Sequence, residues 1–202
     1  MNIFFDLDGT LIDSRQRLYQ LFQSLVPTSE LSFDEYWDFK RNKISHKEIL
    51  FSKFNYSDEQ FGDFEKKWMS EIELEKWLEL DIPFEGISEW LLELSKKHSL
   101  FVVTARQSEN IAVEQIKSYG WENIFLKLLV TQQKQEKHDL VKNAVQVTSE
   151  DWFIGDTGKD VETGKLLGIK TAAVLSGFLS KESLIPYQPD IIANTVFDLK
   201  II

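Results

Sequence analysis

Short apolar runs alternate with amphipathic stretches along the second half of the sequence, and this alternation constrains the fold more than any other feature. Runs such as LFVVT, which ends at Thr104, and DWFIG, which ends at Gly155, are separated by segments with apolar residues at helical spacing. Apolar strands joined by helices are typical of parallel sheets that are buried on both faces. The sequence therefore predicts an α/β protein with a Rossmann-like parallel sheet core.

Residues 14–85 differ from the second half of the sequence in their hydrophobic pattern. Their pattern indicates helices that interrupt the sheet after its first strand. Three Ser-x-x-Glu/Gln capping boxes predict helix starts: Ser32 with Glu35, Ser45 with Glu48, and Ser57 with Gln60. The aromatic residues that follow at helical spacing are expected to build a small core of their own. We therefore predict a sheet domain of residues 1–13 and 86–202, with an all-helical domain of residues 14–85 inserted after the first strand.

Composition excludes several classes of function. The chain has no cysteine, so disulfides and thiolate metal sites are impossible, and a reducing compartment such as the cytoplasm is the expected location. The net charge of -10 argues against nucleic-acid partners, which need clustered Lys and Arg. No apolar run approaches the roughly 20 residues of a membrane-spanning helix, so no membrane partner is expected. The oligomeric state is left open.

Acidic and hydroxyl side chains follow the predicted strands where each strand ends. Asp6 and Asp8 come directly after the first apolar run, and Thr104 ends a later one. Asp156 follows DWFIG, and Asp160 lies about one helical turn further on. Residues two apart on a strand point to the same side, so Asp6 and Asp8 can face one pocket. Because ligands of open parallel sheets bind at the carboxyl ends of the strands, we expect a functional site at this edge.

The chemistry of these side chains points to a divalent cation and to phosphate. Clustered carboxylates repel one another unless a cation lies among them, and oxygen ligands without His or Cys suit Mg²⁺. A carboxylate can also attack phosphorus to give an aspartyl-phosphate, and a lysine can neutralise the phosphoryl oxygens. The candidate lysines are Lys134 and Lys137, in the basic cluster that precedes DWFIG.

Three segments resemble motifs of the haloacid dehalogenase-like superfamily, in particular its phosphatases of the phosphoglycolate phosphatase type. DLDGTLIDS, which starts at Asp6, looks like the first motif, D-x-D-G-T-[LV]-x-D-S. Thr104 in VVTAR matches the second motif, and IGDTGKDVETGKLLGI is similar to the fourth. The resemblance implies a haloacid dehalogenase-like fold in which residues 14–85 form a helical cap that closes over the site and selects the substrate.

The resemblance also implies a role for each site residue. Asp6 would be the nucleophile and Asp8 the acid/base, and Thr104 would hold the transferring phosphate. Mg²⁺ would be bound by the side chains of Asp6 and Asp156 and by the backbone carbonyl of Asp8, with Asp160 in support, directly or through water. An acid at position 8 favours phosphate esters, since dehalogenating members lack it.

The third motif departs from the family pattern. Relatives carry Lys-Pro there, whereas this chain has QQKQEKHDLV without a proline. Lys137 fits the simpler K-x-x-L pattern, so we prefer it to Lys134 as the phosphate-binding lysine.

These features predict an Mg²⁺-dependent phosphatase that hydrolyses a small phosphomonoester through an aspartyl-phosphate. Phosphoglycolate, a sugar phosphate, a nucleotide and pyrophosphate all stay open as substrates, because fold and site do not fix the ester. One alternative is a sugar phosphomutase, which would use the same Asp pair but return the phosphate to the substrate. Another is a phosphate-binding module that has lost catalysis.

Several other charged side chains are expected to lie in solvent. The predicted surface histidines are His46, His98 and His138. The cations interpreted as solvated, although they could meet an anionic part of the substrate, are Arg15, Arg41, Lys43 and Arg106.

Overall fold

The computed structural model describes residues 1–199, and its centre is a parallel sheet. The six strands of the sheet are β1 (Asn2–Phe5), β4 (Ser99–Thr104), β5 (Lys127–Val130), β6 (Trp152–Gly155), β7 (Lys170–Val174) and β8 (Ile191–Ala193). Their order is β5-β4-β1-β6-β7-β8, and every neighbouring pair is parallel. The predicted α/β fold with a parallel sheet core is confirmed.

Helices cover both faces of the sheet. They are α6 (Ile87–Ser95), α7 (Glu109–Ser118), α8 (Lys137–Ala144), α9 (Gly158–Leu167) and α10 (Lys181–Leu184), with short 3₁₀ turns at Ile185–Tyr187 and Val196–Asp198. Successive residues of β1 alternate between the two faces, as the period of two requires. Phe5 packs with α6 and α7 residues on one face, and Phe4 packs with α8 and α9 residues on the other.

Five helices lie between two short strands that pair with each other, and we call them the helical segment. They are α1 (Arg15–Leu25), α2 (Phe33–Arg41), α3 (His46–Phe54), α4 (Asp58–Glu71) and α5 (Glu75–Leu78). All three predicted capping boxes are present, at the starts of α2, α3 and α4. The segment has its own apolar core, which includes Phe22, Tyr36, Trp37 and Phe64. The expectation that its aromatic residues pack together is therefore confirmed.

The short strands β2 (Ile12–Asp13) and β3 (Ile82–Pro83) form a separate antiparallel pair at the base of the helical segment. The prediction that residues 14–85 are purely helical is wrong at β3, because a two-residue strand is too short to give a periodic signal. Helix α8 begins at Lys137, so this lysine lies in the first turn of a helix. The division of the chain into domains at these points stays a prediction.

His46 is half-buried and packs against aromatic side chains of the helical segment, so the prediction that it is a surface residue is wrong. Its Nε2 lies 2.9 Å from the hydroxyl of Tyr36, and its ring packs 4.3 Å from that of Trp68, centroid to centroid. Burial lowers the pKa of His46 well below its usual value, so the ring is neutral at pH 7. Within residues 1–199, no helix combines the length and the apolar character needed to cross a bilayer.

Candidate active site

The carboxyl ends of three adjacent strands bring the predicted site residues together. β1 lies between β4 and β6, with Phe5 in register with Val102 and Ile154. The chain continues in register for one more residue, since the amide of Asp6 donates to the carbonyl of Ile154 at 2.8 Å. Asp6 therefore emerges between Thr104, at the end of β4, and the residue that follows β6.

Asp6, Asp156 and Asp160 form a compact cluster of buried carboxylates. One carboxylate oxygen from each lies within 4.8 Å of the others. Asp156 directly follows β6, and Asp160 lies in the first turn of α9, where its side chain accepts from the amide of Thr157 at 3.0 Å. This capping contact fixes the direction of Asp160, so its second oxygen turns toward Asp6.

Lys137 completes this cluster. Its Nζ lies 2.6 Å from Asp6 Oδ1 and 2.6 Å from Asp160 Oδ1. The side chain is mostly buried because it begins α8 beneath the strand ends. Lys134 is exposed instead, and its Nζ lies 3.5 Å from Gln132 Oε1 rather than near the carboxylates. The geometry thus favours Lys137 over Lys134 as the lysine of the site.

The charges of the cluster do not balance, since three carboxylates face one ammonium. Burial raises the pKa of Asp6 to about 7, with Asp160 and Asp8 adding to the shift and Lys137 opposing it. Burial likewise raises the pKa of Asp156 well above its usual range, with help from the neighbouring carboxylates Asp6 and Asp160. Burial alone would lower the pKa of Lys137, but Asp160 and Asp6 outweigh it and raise that pKa. A further cation would relieve this imbalance, so the cluster could bind a metal ion through oxygen ligands.

Two backbone segments approach the Asp156 carboxylate closely. Its Oδ2 accepts from the amide of Phe178 at 2.6 Å, and its Oδ1 accepts from the Thr10 hydroxyl at 3.3 Å. A Cβ added at Gly177 would lie 2.0 Å from Asp156 Oδ2, and one at Gly9, where φ is +80°, would lie 2.5 Å away. Only glycine fits at these two positions without displacing the carboxylate.

We expect Gly177→Ala to lower the affinity for a divalent cation by about 10- to 100-fold, because the added methyl displaces Asp156. The measurement is cation titration by calorimetry on the folded variant. Gly62→Ala is the matched control, since a Cβ at Gly62 meets nothing within 4 Å and lies inside α4. That control should keep the cation affinity and gain up to about 1 kcal/mol in stability. Equal cation affinities in both variants would contradict the prediction that Asp156 binds the cation.

Asp8 points away from the carboxylate cluster and is held by two arginines. Arg106 donates to its Oδ2 from Nε at 2.7 Å and to its Oδ1 from Nη2 at 2.9 Å, and Arg17 Nη2 donates to Oδ1 as well. Burial alone would raise the pKa of Asp8, but Arg106 and Arg17 together outweigh it and lower that pKa to about 2. Asp8 is therefore a carboxylate in this arrangement.

Arg106 is only 4% exposed, so its interpretation as a solvated charge is wrong. The guanidinium is buried because two carboxylates, Asp8 and Asp81, accept from it. Arg15 instead pairs with Asp13 at the surface end of α1. Arg41 donates to the carbonyls of Leu175 and Gly177, and the exposed Lys43 meets the hydroxyl of Tyr187.

A cavity of about 350 Å³ lies between the strand ends and the helical segment. Its polar wall includes four of the predicted residues, namely Asp6, Asp8, Thr104 and Lys137. Its apolar wall comes from the helical segment and includes Leu18, Trp68, Met69 and Ile72. A small ligand in this cavity would contact the nucleophile candidate and the helical segment at the same time.

The comparison with known families agrees with this geometry. The sequence profile of the haloacid dehalogenase-like hydrolases matches residues 3–174. The chain belongs to this family. Its matched residues run from the first strand through β7, so they include every acid of the site.

Two curated relatives of this hydrolase are phosphatases. A phosphoglycolate phosphatase of Aquifex aeolicus is 26% identical over 198 residues, covering 91% of this chain and 89% of that protein. The pyrophosphatase PpaX of Bacillus pumilus is 25% identical over 210 residues, covering 98% of this chain and 93% of that protein. These findings confirm the predicted enzyme class, a haloacid dehalogenase-type phosphatase.

Solved structures support the fold of the hydrolase over nearly its whole length. The haloacid dehalogenase-like family protein SP0104 of Streptococcus pneumoniae aligns with a TM-score of 0.76 at 25% identity, covering 96% of this chain and 93% of that one. A Clostridium difficile protein aligns with a TM-score of 0.80 at 19% identity, covering 97% and 94%.

Two residues near the site, Arg17 and Asp81, were not predicted from the sequence of the hydrolase. Arg17 lies in α1 and is 3% exposed, and Asp81 precedes β3 with a fully buried side chain. Neither belongs to a motif or a strand end of the sheet, so no local pattern marks them. Arg106 carried a usable signal, since it follows the end of β4 by two residues, as a ligand-facing side chain would.

Proposed function

We propose that this hydrolase is an Mg²⁺-dependent phosphatase that cleaves a small phosphomonoester through an aspartyl-phosphate on Asp6. The observation that carries the proposal is the state of the Asp6 carboxylate. Its Oδ1 is paired with Lys137 at 2.6 Å, whereas its Oδ2 accepts no hydrogen bond from any side chain or amide in residues 1–199. Asp6 also lines the cavity, so one oxygen is available to attack phosphorus.

The oxygen donors around Asp6 fit Mg²⁺, because they are hard ligands and carry more negative charge than Lys137 balances. We assign the side chains of Asp6 and Asp156 and the backbone carbonyl of Asp8 as ligands, with Asp160 in support. When bound, the ion would neutralise phosphoryl oxygens and keep the carboxylates ionised. Lys137 supplies a second positive charge to the same oxygens, and Thr104 offers a hydroxyl from the cavity wall.

The first step transfers the phosphoryl group to the protein. Asp6 Oδ2 forms a bond to phosphorus while the bond from phosphorus to the ester oxygen breaks, and the electron pair of that bond stays on the leaving oxygen. Asp8, protonated by solvent or by the attacking water of the previous turnover, gives this oxygen a proton, so the product leaves as an alcohol. Because Arg17 and Arg106 favour the ionised form of Asp8, their contacts with it must loosen as the proton is taken up.

The second step regenerates the nucleophile. Asp8 accepts a proton from water as the water oxygen attacks phosphorus, and the bond between phosphorus and Asp6 Oδ2 breaks. Inorganic phosphate is released and the Asp6 carboxylate returns to its starting state. Asp8 needs to be ionised for this step, which is the state that its two arginine partners favour.

Residues 14–85 act as a cap in this proposal, closing over the cavity so that bulk water is excluded during the first step. The support is the apolar wall that the helical segment contributes to the cavity. The two curated relatives are named for phosphoglycolate and pyrophosphate, which are two of the four substrates that the sequence leaves open. Sugar phosphates and nucleotides are the other two candidates to test.

The test is a phosphate-release assay across these four substrate classes, with Mg²⁺ present and with excess chelator. We expect release of inorganic phosphate from at least one class, and loss of that activity in chelator. Accumulation of a rearranged phosphate ester without inorganic phosphate would favour a phosphomutase instead. Absence of turnover on the whole panel with Mg²⁺ would indicate a binding module and refute the proposal.

The raised pKa of Asp6 predicts a pH-dependent stability in chelator. Since the pKa of Asp6 is about 7 in the folded protein and about 3.9 in an unfolded chain, the folded state binds more protons between these values. The stabilising contribution is complete below about pH 4 and is lost as the pH rises through 7. We therefore expect the Tm of the natural protein, relative to that of Asp6→Asn, to fall between pH 5 and pH 8 in thermal melts. A constant difference in Tm over this range would contradict the expectation.

A further inference from the structure

Asp81 is a buried carboxylate that the proposed chemistry does not use. Its side chain is fully buried and accepts three hydrogen bonds, from Arg17 Nε at 2.9 Å, from Arg106 Nη2 at 3.0 Å and from Gln115 Nε2 at 3.0 Å. Asp81 is not among the residues that line the cavity around Asp6. It therefore lies behind the two arginines and cannot touch a substrate there.

The same two arginines bridge Asp81 to Asp8. Arg106 shares its Nη2 between the two carboxylates, and Arg17 donates to one of them from Nε and to the other from Nη2. The four side chains carry two positive and two negative charges, so the cluster is neutral as a unit. Arg17 and Arg106 are 3% and 4% exposed. Paired contacts of this kind fix the orientation of a guanidinium group, and removing one carboxylate would leave a buried positive charge uncompensated.

The bridge joins separate parts of the chain. Arg17 belongs to α1 in the helical segment, Arg106 follows β4 of the sheet, and Asp81 precedes β3 at the base of the segment. The backbone of Arg17 belongs to α1, and its Nη1 donates to the carbonyl of Ile72 at 3.2 Å. Both the backbone and the guanidinium group are therefore attached to the helical segment. The position of Asp8 thus depends on how the helical segment sits against the sheet.

We propose that Asp81 is a positioning residue for Asp8, because it fixes the guanidinium groups of Arg17 and Arg106 that hold the acid/base against the cavity. This inference rests on the proposed function, since it assumes that Asp8 transfers the proton to the leaving oxygen. Loss of Asp81 leaves two arginines to compete for one carboxylate. Asp8 is then misplaced for proton transfer while Asp6, Lys137 and the metal ligands keep their arrangement.

The test compares two substrates that differ in how much they need a proton donor. The leaving group of 4-nitrophenyl phosphate departs readily as an anion, whereas that of phenyl phosphate is as basic as a tyrosine side chain, with a pKa of about 10. The quantity measured is kcat/KM, which reports the steps up to phosphoryl transfer and so isolates the leaving-group step. The variants are Asp81→Asn, Asp8→Asn as the reference for a lost acid, and Glu79→Gln as a charge control on an exposed residue nearby.

In Asp81→Asn we expect kcat/KM for phenyl phosphate to fall at least about 10-fold more than for 4-nitrophenyl phosphate, since a positioned general acid contributes about 10²- to 10⁴-fold. Asp8→Asn should give the same pattern with a larger difference, and Glu79→Gln should change neither substrate. A merely structural role for Asp81 would lower both values equally. Equal losses, or no loss, in Asp81→Asn would overturn the inference.

If Asp81→Asn does not fold, the double variant Asp81→Asn/Arg17→Gln is compared with Arg17→Gln alone, because these two variants differ only at Asp81 and both keep Asp8 paired with Arg106. The double variant should lose more kcat/KM for phenyl phosphate, relative to 4-nitrophenyl phosphate, than Arg17→Gln does, and equal ratios in the two variants would overturn the inference. The two hypotheses fail in different ways. If Asp8→Asn loses activity on both esters equally, the acid/base role of Asp8 in the proposed function fails. If Asp8→Asn shows the dependence and the Asp81 variants do not, the positioning role alone fails.

Discussion

Asp6→Asn is expected to abolish phosphate release, lowering kcat by at least about 10⁴-fold, because an amide cannot attack phosphorus and no other carboxylate can take its place. The neighbouring acids are already engaged. Asp160 accepts from Thr157 and Lys137, and Asp156 accepts from Phe178 and Thr10. The measurement is phosphate release with the best substrate of the panel, at saturating Mg²⁺.

Thermal stability distinguishes a lost nucleophile from a damaged fold in this variant. Asp6 is 7% exposed, and both burial and its carboxylate neighbours oppose its ionised form. Replacing it with a neutral residue of the same shape should leave the Tm in chelator at pH 8 equal to or above that of the natural protein. A folded Asp6→Asn variant that keeps more than about one tenth of the activity would refute the aspartyl-phosphate mechanism.

Much of the site could be predicted from sequence because strand ends and helix caps are local signals. Asp6, Thr104 and Asp156 end or follow apolar runs, and a parallel sheet brings such positions to one edge. The capping boxes at Ser32, Ser45 and Ser57 need only four consecutive residues, so they were readable without a partner elsewhere.

The parts that were missed depend on partners distant in sequence. Asp81 meets Arg17 across 64 residues, and Arg106 meets Asp8 across 98. A charged residue is predicted to be exposed to solvent unless its ion-pair partner is known. Sequence spacing alone does not identify such a partner when it is distant in the chain. His46 was misassigned for the same reason, because polar neighbours in sequence hide a ring that packs on Trp68.

Lys137→Met is expected to lower kcat by about 10²- to 10³-fold, because the variant keeps an unbranched side chain but removes the charge that faces the phosphoryl oxygens. The loss should be absent from Lys134→Met, whose side chain is exposed and does not line the cavity around Asp6. Steady-state kinetics on both variants provide the measurement. The opposite order of effects would move the phosphate-binding role to Lys134.

Stability measurements on Lys137→Met also test whether the lysine and the metal ion both neutralise the negative charge of the carboxylate cluster. In chelator the variant leaves Asp6, Asp156 and Asp160 without their cation, which should cost about 3–5 kcal/mol in the free energy of unfolding. Mg²⁺ should recover most of this stability, because it supplies positive charge to the same carboxylates. It should not recover the activity, since the phosphoryl oxygens still lack the ammonium. Recovery of both by Mg²⁺ would mean that Lys137 serves only to neutralise the acids.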